Sequence, residues 1–389
     1  MKRSLYAGAI AFAVILITSH LRSTPYNNYV LLADAFLHHH VWIDWPGPSI
    51  DALALGGHRY VIEAPLPALL MMPAVLFFGT DANQTLLAVV LGAVAVGAAW
   101  EICERLAVPF ETTVWLCAFL LAGTDLLWCA MLGDVWFIAH VSAVCFSLLA
   151  LCELLGAKRG WLVALWAVCA AESRFTMALA IPVYAFMLTR SVVDEDAPPQ
   201  PLQIRTALLW FAGVILISGL LWVRYNQARW GTLADIGYSS WYHQDQVGER
   251  EGSPFRLMYF PQQLYSFFVA PPEFSSTFPY VTPSQLGTAV TWTSPAFVLA
   301  AFARLPRMLV WTMVAAAVLT AGPNLLYYVN GFAQFGMRHA LDFAPFLFVL
   351  MALAVRERFT VWARAFIGYS VAAGLWGCWY WNVFLRAQY

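Results

Sequence analysis

Residues 135–157 read VWFIAHVSAVCFSLLALCELLGA, a stretch in which Glu153 is the only charged residue. A helix needs about 20 mostly apolar residues to cross the hydrocarbon layer of a bilayer. This stretch has that length and composition, so it predicts a membrane-spanning helix. Similar stretches lie on both sides of it, at 5–21, 84–104, 112–132, 205–226, 286–303, 308–328, 339–355 and 361–383.

The composition agrees with a chain that lies mostly within a membrane. Of its 389 residues, 61% are hydrophobic and 11% are charged, against about 25% charged in an ordinary globular domain. A soluble fold could not cover its surface with so few charges. The net charge of −1 gives no basic excess, which excludes nucleic acid as a partner. The seven cysteines fall in apolar stretches and predict small packing side chains rather than disulfides.

Two ambiguous segments decide the topology. Residues 65–79 are short and contain prolines, and 160–190 are too long for one span but short for two. Short cytoplasmic loops of membrane proteins are rich in Lys and Arg. The arginines of the short loops all lie on the cytoplasmic face if 65–79 does not cross the membrane and 160–190 forms a hairpin of two short helices. We therefore predict one all-α transmembrane domain over 1–389, with about eleven spans and a cytoplasmic N-terminus.

This topology places two long loops, 22–83 and 227–285, on the external face, where both are expected to carry interfacial helices. The first loop would contain an amphipathic helix and, at 65–79, a re-entrant or interfacial segment. The hydrophilic tract 191–204 (SVVDEDAPPQPLQI) becomes a cytoplasmic linker between two halves. Most of the unusual polar residues then gather at the external side of the membrane.

The amphipathic helix of the first loop is predicted over 27–40. Apolar side chains recur there at helical spacing and are expected to lie on lipid: Tyr29, Leu32, Ala33, Phe36 and Leu37. Asp34 is near the membrane plane, where a carboxylate is costly unless it has a task or a partner. It is either a general base near a lipid-borne substrate or an exposed charge on the polar side of the helix.

Further polar candidates follow along the first loop. In GGHRYVIEAP, Arg59 has the planar fork that binds phosphate, beside His58, although pairing with Glu63 is the commoner outcome for neighbouring opposite charges. The adjacent histidines 38–40 suggest a metal, but on a helix they point about 100° apart and cannot bind one ion. No cofactor is predicted from these residues.

Charged residues near the ends of the later spans are the remaining candidates. Asp134 is a functional candidate by its position at a span, or else a cap for the following helix. Glu172 and Arg174 lie two residues apart and are expected to neutralise each other. Arg338 and Asp342 lie one helical turn apart, so a local salt bridge competes there with a binding role.

The sequence contains no Walker loop, dinucleotide fingerprint, HExxH motif or nucleophile elbow. Its weak motifs nevertheless come in a definite order. The order resembles that of the GT-C glycosyltransferases, in particular bacterial members similar to protein O-mannosyltransferases and lipid A aminoarabinose transferases. The motifs are LADAFLHHH, GGHRYVIEAPLPALLMMP, GDVWFIAH, ESRFTMALAIP, YNQARWGTLADIGY, TSPAF and GFAQFGMRHALDFAPFL.

The resemblance implies an enzyme that moves a sugar from a polyprenyl-phosphate donor to an acceptor hydroxyl, with inversion, in one displacement. Asp34 matches the first-loop acid that deprotonates the acceptor, and Asp134 matches a second acid near the sugar. Arg338 matches the basic residue near the lipid phosphate. We add four candidates for binding the substrate or the donor phosphate: Arg59, His58, Glu63 and His339.

The same resemblance implies the setting of the reaction. The donor is a polyprenyl-phosphate-linked sugar within membrane lipid, and the acceptor is a glycan, a lipid or a protein. The enzyme would lie in a bacterial inner membrane with its active site on the extracytoplasmic face. Such chemistry needs no metal in principle, although some members use a divalent ion.

The alternative function is a transporter or flippase of a lipid-linked glycan. That function predicts polar residues through the centres of the spans and an internal repeat. The sequence has no evident repeat, and its polar residues favour one face, so the glycosyltransferase is preferred.

Overall fold

The computed structural model describes residues 2–44, 52–190, 201–284, 286–331 and 333–385. The predicted all-α class is confirmed. The helices of the described residues are α1 Lys2–Ser19, α2 Asn28–Leu37, α3 Leu66–Phe78, α4 Gln84–Arg105, α5 Phe110–Ala122, α6 Leu126–Leu132, α7 Val135–Leu154, α8 Gly160–Ala171, α9 Ile181–Thr189, α10 Pro201–Trp230, α11 Gly237–Gln244, α12 Phe260–Phe268, α13 Val290–Thr293, α14 Arg307–Leu326, α15 Ala344–Val355 and α16 Val361–Tyr380.

Short 3₁₀ helices and two small hairpins complete the fold. The 3₁₀ helices are Gly79–Asp81, Phe175–Ala180, Leu257–Tyr259, Pro295–Phe302 and Arg338–Asp342, and a π-helical turn covers Trp381–Leu385. The antiparallel hairpins join β1 (Ala52–Leu55) to β2 (His58–Val61) and β3 (Glu273–Phe274) to β4 (Val281–Thr282).

The chain is a polytopic integral membrane protein. Within the described ranges, α1, α4, α7, α10 and α14 are each long and apolar enough to cross a bilayer. The helices α5 and α6 together form a sixth candidate, bent by 48°. Of the other predicted spans, 361–383 forms the unbroken 20-residue helix α16, and the rest form shorter or broken helices, so the total of about eleven spans stays a prediction.

The centre of the helical bundle is α7, which is buried along nearly its whole length and packs against α4 and α8. On the other side of α4, α1 approaches closely because both helices carry glycine at the contact. A Cβ on Gly8 would lie 3.2 Å from the Ala93 carbonyl oxygen, and one on Gly97 would lie 3.1 Å from that of Ser4. Small residues at such crossings are typical of membrane helices. In contrast, α10 exposes apolar side chains such as Leu216 and Leu221 along its outer side.

The helix predicted in the first loop forms as α2, but the prediction that its apolar side lies on lipid is wrong for three of the five residues named, whereas Phe36 and Leu37 are half-buried. Tyr29, Leu32 and Ala33 are completely buried in protein instead of lying on lipid. They are covered because α3, the segment predicted as re-entrant or interfacial, packs against α2. An apolar stripe on a helix is satisfied equally by protein or by lipid, and here the protein partner covers it.

Two short helices form where the sequence predicts a hairpin. The chain runs from α8 through the loop 172–174 and the 3₁₀ helix Phe175–Ala180 into α9. The following linker, predicted over 191–204, lies outside the described residues as far as residue 200, and α10 begins at Pro201.

In the second long loop, the buried side of α12 carries Gln263, Ser266 and Phe267. Gln263 Nε2 donates to the Tyr327 carbonyl oxygen at 2.8 Å, and Ser266 Oγ accepts from Asn330 Nδ2 at 3.0 Å. The outward side of α12 exposes the apolar side chains Leu264 and Phe268. The loop thus presents an apolar surface outward, which is the character expected of an interfacial helix.

Candidate active site

A cavity of about 1140 Å³ lies where both long loops meet the helical bundle. Its lining comes from the chain before α2, the segment after β2, the start of α7, the hairpin loop 172–174, the second loop and the segment after α14. The ionisable residues of its lining are Arg22, Glu63, Asp134, Arg174, Asp245, Arg338 and His339. The volume lies slightly above the roughly 300–1,000 Å³ of typical small-molecule sites.

Asp134 is held in this lining by the turn between α6 and α7. Gly133 ends α6 in the left-handed region, at φ +69°, and a Cβ there would lie 2.6 Å from the Cα of Thr85. Only glycine fits such a conformation against a neighbouring backbone without strain. Asp134 follows in the N-cap position of α7, with extended backbone dihedral angles.

Two neighbouring residues of α4 connect this turn to the first loop by hydrogen bonds. The buried Gln84 donates from Nε2 to the carbonyl oxygens of Gly133 (2.6 Å) and Tyr26 (3.3 Å), while its Oε1 accepts from the Tyr29 amide (3.2 Å). Thr85 Oγ1 lies 3.1 Å from the carbonyl oxygen of Leu132 and 3.0 Å from that of Arg22. The first loop therefore approaches Asp134 in a fixed position.

The contacts of Asp134 itself follow from this arrangement. The hydroxyl of Thr24 donates to its Oδ1, and Tyr26 stacks at a tilt on Trp136 with ring centroids 4.9 Å apart. All four residues line the cavity. The carboxylate of Asp134 is thus oriented by a neighbouring hydroxyl at the edge of an aromatic pair.

A buried polar network underlies another part of the cavity. Asp342 is fully buried and accepts two hydrogen bonds from Arg174, from Nη2 at 2.9 Å and from Nε at 3.2 Å. It also accepts from Thr176 Oγ1 and Asn324 Nδ2, each at 2.8 Å, and its Oδ1 lies 2.9 Å from His140 Nδ1. A buried charge survives only when it is paired and hydrogen-bonded in this way.

This network places the guanidinium of Arg174 at the cavity. Arg174 lines it together with Arg338 and His339. Because a guanidinium has no acceptor, Nη2 of Arg174 donates to Nδ1 of His339 at 3.1 Å, which leaves the proton of the neutral imidazole on Nε2. The Arg338 guanidinium lies 5.2 Å from the centre of the Phe137 ring. Three donor groups suited to an anion therefore meet at this end.

Glu172 lies in the hairpin loop directly before Ser173 and Arg174, and its carbonyl oxygen accepts from the Leu66 amide at 2.9 Å. Burial raises the pKa of its carboxyl to about 7, with Arg229 opposing the rise and Asp235 adding to it. The expected neutralisation of Arg174 by Glu172 is replaced by the pair that Arg174 forms with Asp342.

The structure divides the residues predicted from sequence into two groups. Glu63, Asp134, Arg338 and His339 line the cavity. The other three are not among the described residues that line it: Asp34, His58 and Arg59.

The residues outside the cavity have local contacts. The Asp34 carboxylate lies 3.5 Å from Nδ1 of His38 on the same helix. The His58 ring lies 4.4 Å from that of Trp42, and Arg59 Nη1 donates to the Ala52 carbonyl oxygen at 3.3 Å. Arg229, in the last turn of α10, is enclosed by aromatic rings, the nearest being Tyr225 at 4.0 Å.

The sequence-based prediction missed Arg174 as a site residue. The sequence did contain an indication of its role, because an ionisable residue within an apolar membrane segment is a functional candidate by default. The nearby Glu172 offered a local partner, and the true partner lies 168 residues away. Among the described residues, no three or more His, Cys, Asp or Glu side chains are grouped as a metal site would require.

Solved structures give the decisive comparison for the fold. The chain is similar to ArnT from Cupriavidus metallidurans bound to undecaprenyl phosphate, with a TM-score of 0.54 and 15% identity. The aligned region covers 94% of this chain and 62% of ArnT. The chain has the GT-C fold. The apo form of the same ArnT matches with a TM-score of 0.53, at 14% identity over 90% of this chain and 59% of that one.

The chain spans less than two thirds of the length of ArnT. The oligosaccharyltransferase AglB from Archaeoglobus fulgidus, solved with an inhibitory peptide and a dolichol phosphate, gives a TM-score of 0.44 at 13% identity, over 97% of this chain and 55% of AglB. No protein-family model and no curated protein sequence matches the chain. The likeness is therefore one of fold.

Proposed function

We propose that the protein is a membrane glycosyltransferase that transfers a sugar from a polyprenyl phosphate to an acceptor hydroxyl. The observation that carries the proposal is that a single cavity contains both an oriented carboxylate, Asp134, and a cluster of anion-binding donors, Arg174, Arg338 and His339. ArnT, which has the same fold, binds undecaprenyl phosphate. That supports a lipid phosphate as the ligand of the cationic end.

The chemistry assigns one role to each end of the cavity. Asp134 takes the proton of the acceptor hydroxyl as the acceptor oxygen forms its bond to C1 of the sugar. The bond between C1 and the phosphate oxygen breaks, and its electron pair leaves with the polyprenyl phosphate. Arg338 and Arg174 stabilise the charge that develops on this leaving group. Attack from the face opposite the phosphate inverts the configuration at C1.

The membrane supplies the donor. A polyprenyl chain is concentrated in the bilayer, and α12, whose exposed residues include Leu264 and Phe268, contributes Gln262 to the cavity lining. The distribution of basic residues between the spans supports an extracytoplasmic cavity. In a bacterium the protein would then lie in the inner membrane, with the cavity facing the periplasm or cell exterior.

Transfer from radiolabelled polyprenyl-phosphate sugars by the purified protein tests this function. We expect Asp134→Asn to lower the transfer rate by about 10²–10⁴-fold, the usual contribution of a general base. The control is Asp81→Asn, which changes an exposed aspartate of the first long loop that is not among the described residues of the cavity lining. Full activity of Asp134→Asn would contradict the assignment.

Asp34 requires a direct comparison, because the family resemblance assigns it the role of base. Asp34→Asn is measured in the same assay, with the same donors. A smaller loss for Asp34→Asn than for Asp134→Asn is expected, since Asp34 is not among the described residues of the cavity lining. A larger loss would transfer the proposed role to Asp34.

A further inference from the structure

The cavity has an aromatic wall that the proposed donor chemistry does not use. It consists of five rings from α11, the segment Leu257–Tyr259 and the chain after α14: Tyr238, Trp241, Tyr259, Tyr327 and Tyr328. Lipid-facing aromatic belts would account for exposed rings, but these rings line the cavity. They therefore form part of a ligand site.

The rings of the aromatic wall are fixed against one another. Tyr327 and Tyr328 pack edge to face with centroids 4.8 Å apart, and Tyr238 lies 6.0 Å from Tyr327. The Tyr328 hydroxyl donates to Asp245, and the Tyr259 hydroxyl lies 2.8 Å from that of Tyr242. Such packing positions the rings before a ligand arrives, which reduces the entropy cost of binding.

Amide and carboxylate side chains surround this wall. Gln244, Gln246 and Gln262 are exposed at the mouth of the cavity, Asp245 is half-buried, and Asn330 is buried further in. Gln244 also fastens the wall to the first loop, since its Nε2 donates to the Ala54 carbonyl oxygen at 2.8 Å. The polar groups of the wall are thus uncharged amides, phenols and one carboxylate.

We propose that the acceptor is a carbohydrate and that the aromatic wall binds it. Aromatic faces pack against the C–H faces of pyranose rings, and amides and carboxylates hydrogen-bond sugar hydroxyls. The lining arginines belong to other segments, at 22, 174 and 338, and Arg256, which lies 5.7 Å from the centre of the Tyr259 ring, is paired with Glu249. The lining side chains of the wall are therefore mostly uncharged, which favours a neutral acceptor. This proposal rests on the proposed function and specifies its acceptor.

The reaction then joins two sugars. A hydroxyl oxygen of the bound saccharide forms the new bond to C1 of the donor sugar, and its proton passes to Asp134. The bond from C1 to the phosphate oxygen breaks with its electron pair on the leaving polyprenyl phosphate. The products are a glycoside one sugar longer and a polyprenyl phosphate, with no oxidant or further reactant needed.

Direct binding to the full-length protein in detergent tests the aromatic wall without donor. The probes are the methyl glycosides of glucose, mannose, galactose and N-acetylglucosamine, a serine- and threonine-containing peptide, and undecaprenyl phosphate, each followed by saturation-transfer NMR or calorimetry. We expect at least one glycoside to bind. Tyr238→Leu should weaken it about tenfold, the effect of losing one ring contact of about 1.4 kcal/mol, whereas Tyr238→Phe keeps the ring and retains binding.

The matched control is Tyr369→Leu, which removes an exposed ring of α16 outside the described lining and should leave glycoside binding unchanged. Binding of the peptide in place of every glycoside would overturn the carbohydrate proposal. So would undecaprenyl phosphate binding with no glycoside binding, but that result would leave the proposed function standing. If neither the lipid phosphate nor any glycoside binds, the proposed function fails together with this inference.

Discussion

Asp342 and Arg174 lie 168 residues apart in the sequence and are joined inside the protein by hydrogen bonds of 2.9 and 3.2 Å. The carboxylate is inaccessible to solvent, whereas the guanidinium reaches the cavity lining. Asp342 therefore positions a cation at the site without occupying the site itself. It also connects the hairpin to the 3₁₀ helix Arg338–Asp342, which precedes α15.

Asp342→Asn should destabilise the protein strongly. Removing one partner of a buried ion pair costs about 3–5 kcal/mol, because the other charge stays buried without compensation. Denaturant titration of the detergent-solubilised protein measures this loss in the free energy of unfolding. The control is Glu111→Gln, whose pair with Arg364 is largely exposed and worth about 0–1 kcal/mol. Equal losses for the two variants would contradict the central role of Asp342.

Gly133→Ala should disturb Asp134 through the backbone. The left-handed conformation costs about 1–2 kcal/mol for a residue with a Cβ, and the new Cβ would press on the Thr85 backbone. We expect lower thermal stability and a reduced transfer rate. Gly219→Ala is the control, because a Cβ there meets nothing within 4 Å in the long helix α10. Its stability should be unchanged or higher by up to about 1 kcal/mol.

Gln84→Leu should affect catalysis more than donor binding. The amide holds the carbonyl oxygens of Tyr26 and Gly133, so its loss frees the first loop from the turn that carries Asp134. Steady-state kinetics should show a fall in kcat with a smaller change in KM for the donor. Gln203→Leu, at an exposed position near the start of α10, is the control. A change confined to KM would contradict a positioning role for Gln84.

Glu172 should make stability depend on pH near neutrality. Burial raises its pKa from 4.5 to about 7, so the folded protein binds more protons than the unfolded chain between these values. Its contribution therefore favours folding below about pH 4.5 and is lost as pH rises through 7. Melting temperatures from pH 5 to 8 should fall less steeply in Glu172→Gln than in the parent. Glu251→Gln, an exposed change, should keep the parent slope.

The sequence predicted the positions of the helices better than it predicted which segments pack against them. The spans around 84–105 and 135–154 are long, apolar and nearly free of charge, so composition alone identifies them. The helix α2 was also predicted, but its apolar stripe could not distinguish lipid from α3, since both are apolar surfaces. Periodicity identifies a buried face and says nothing about what covers it.

The candidate site divides in a similar way. Asp134 and Arg338 could be found because a charge in an apolar segment stands out in the sequence. Arg174 was assigned to Glu172, two residues away, because a sequence displays local pairs and conceals distant ones. Asp34 and Arg59 have the right chemistry for a site, but their described contacts are with neighbouring parts of the first loop. The packing of the helices decides which charged residues come together, and a local sequence pattern carries no information about that packing.

The long separation of Arg174 from Asp342 has a consequence for synthesis in the cell. At about 5–20 residues per second, the 168 residues between them take roughly 10–30 s to translate. Throughout that interval Arg174 is part of the nascent chain while its partner has not yet been synthesised. A chain that stops before residue 342 would keep this cation without its carboxylate in an apolar setting. The ion pair, and with it the position of Arg174 in the cavity lining, is therefore completed only after the chain has been extended as far as Asp342.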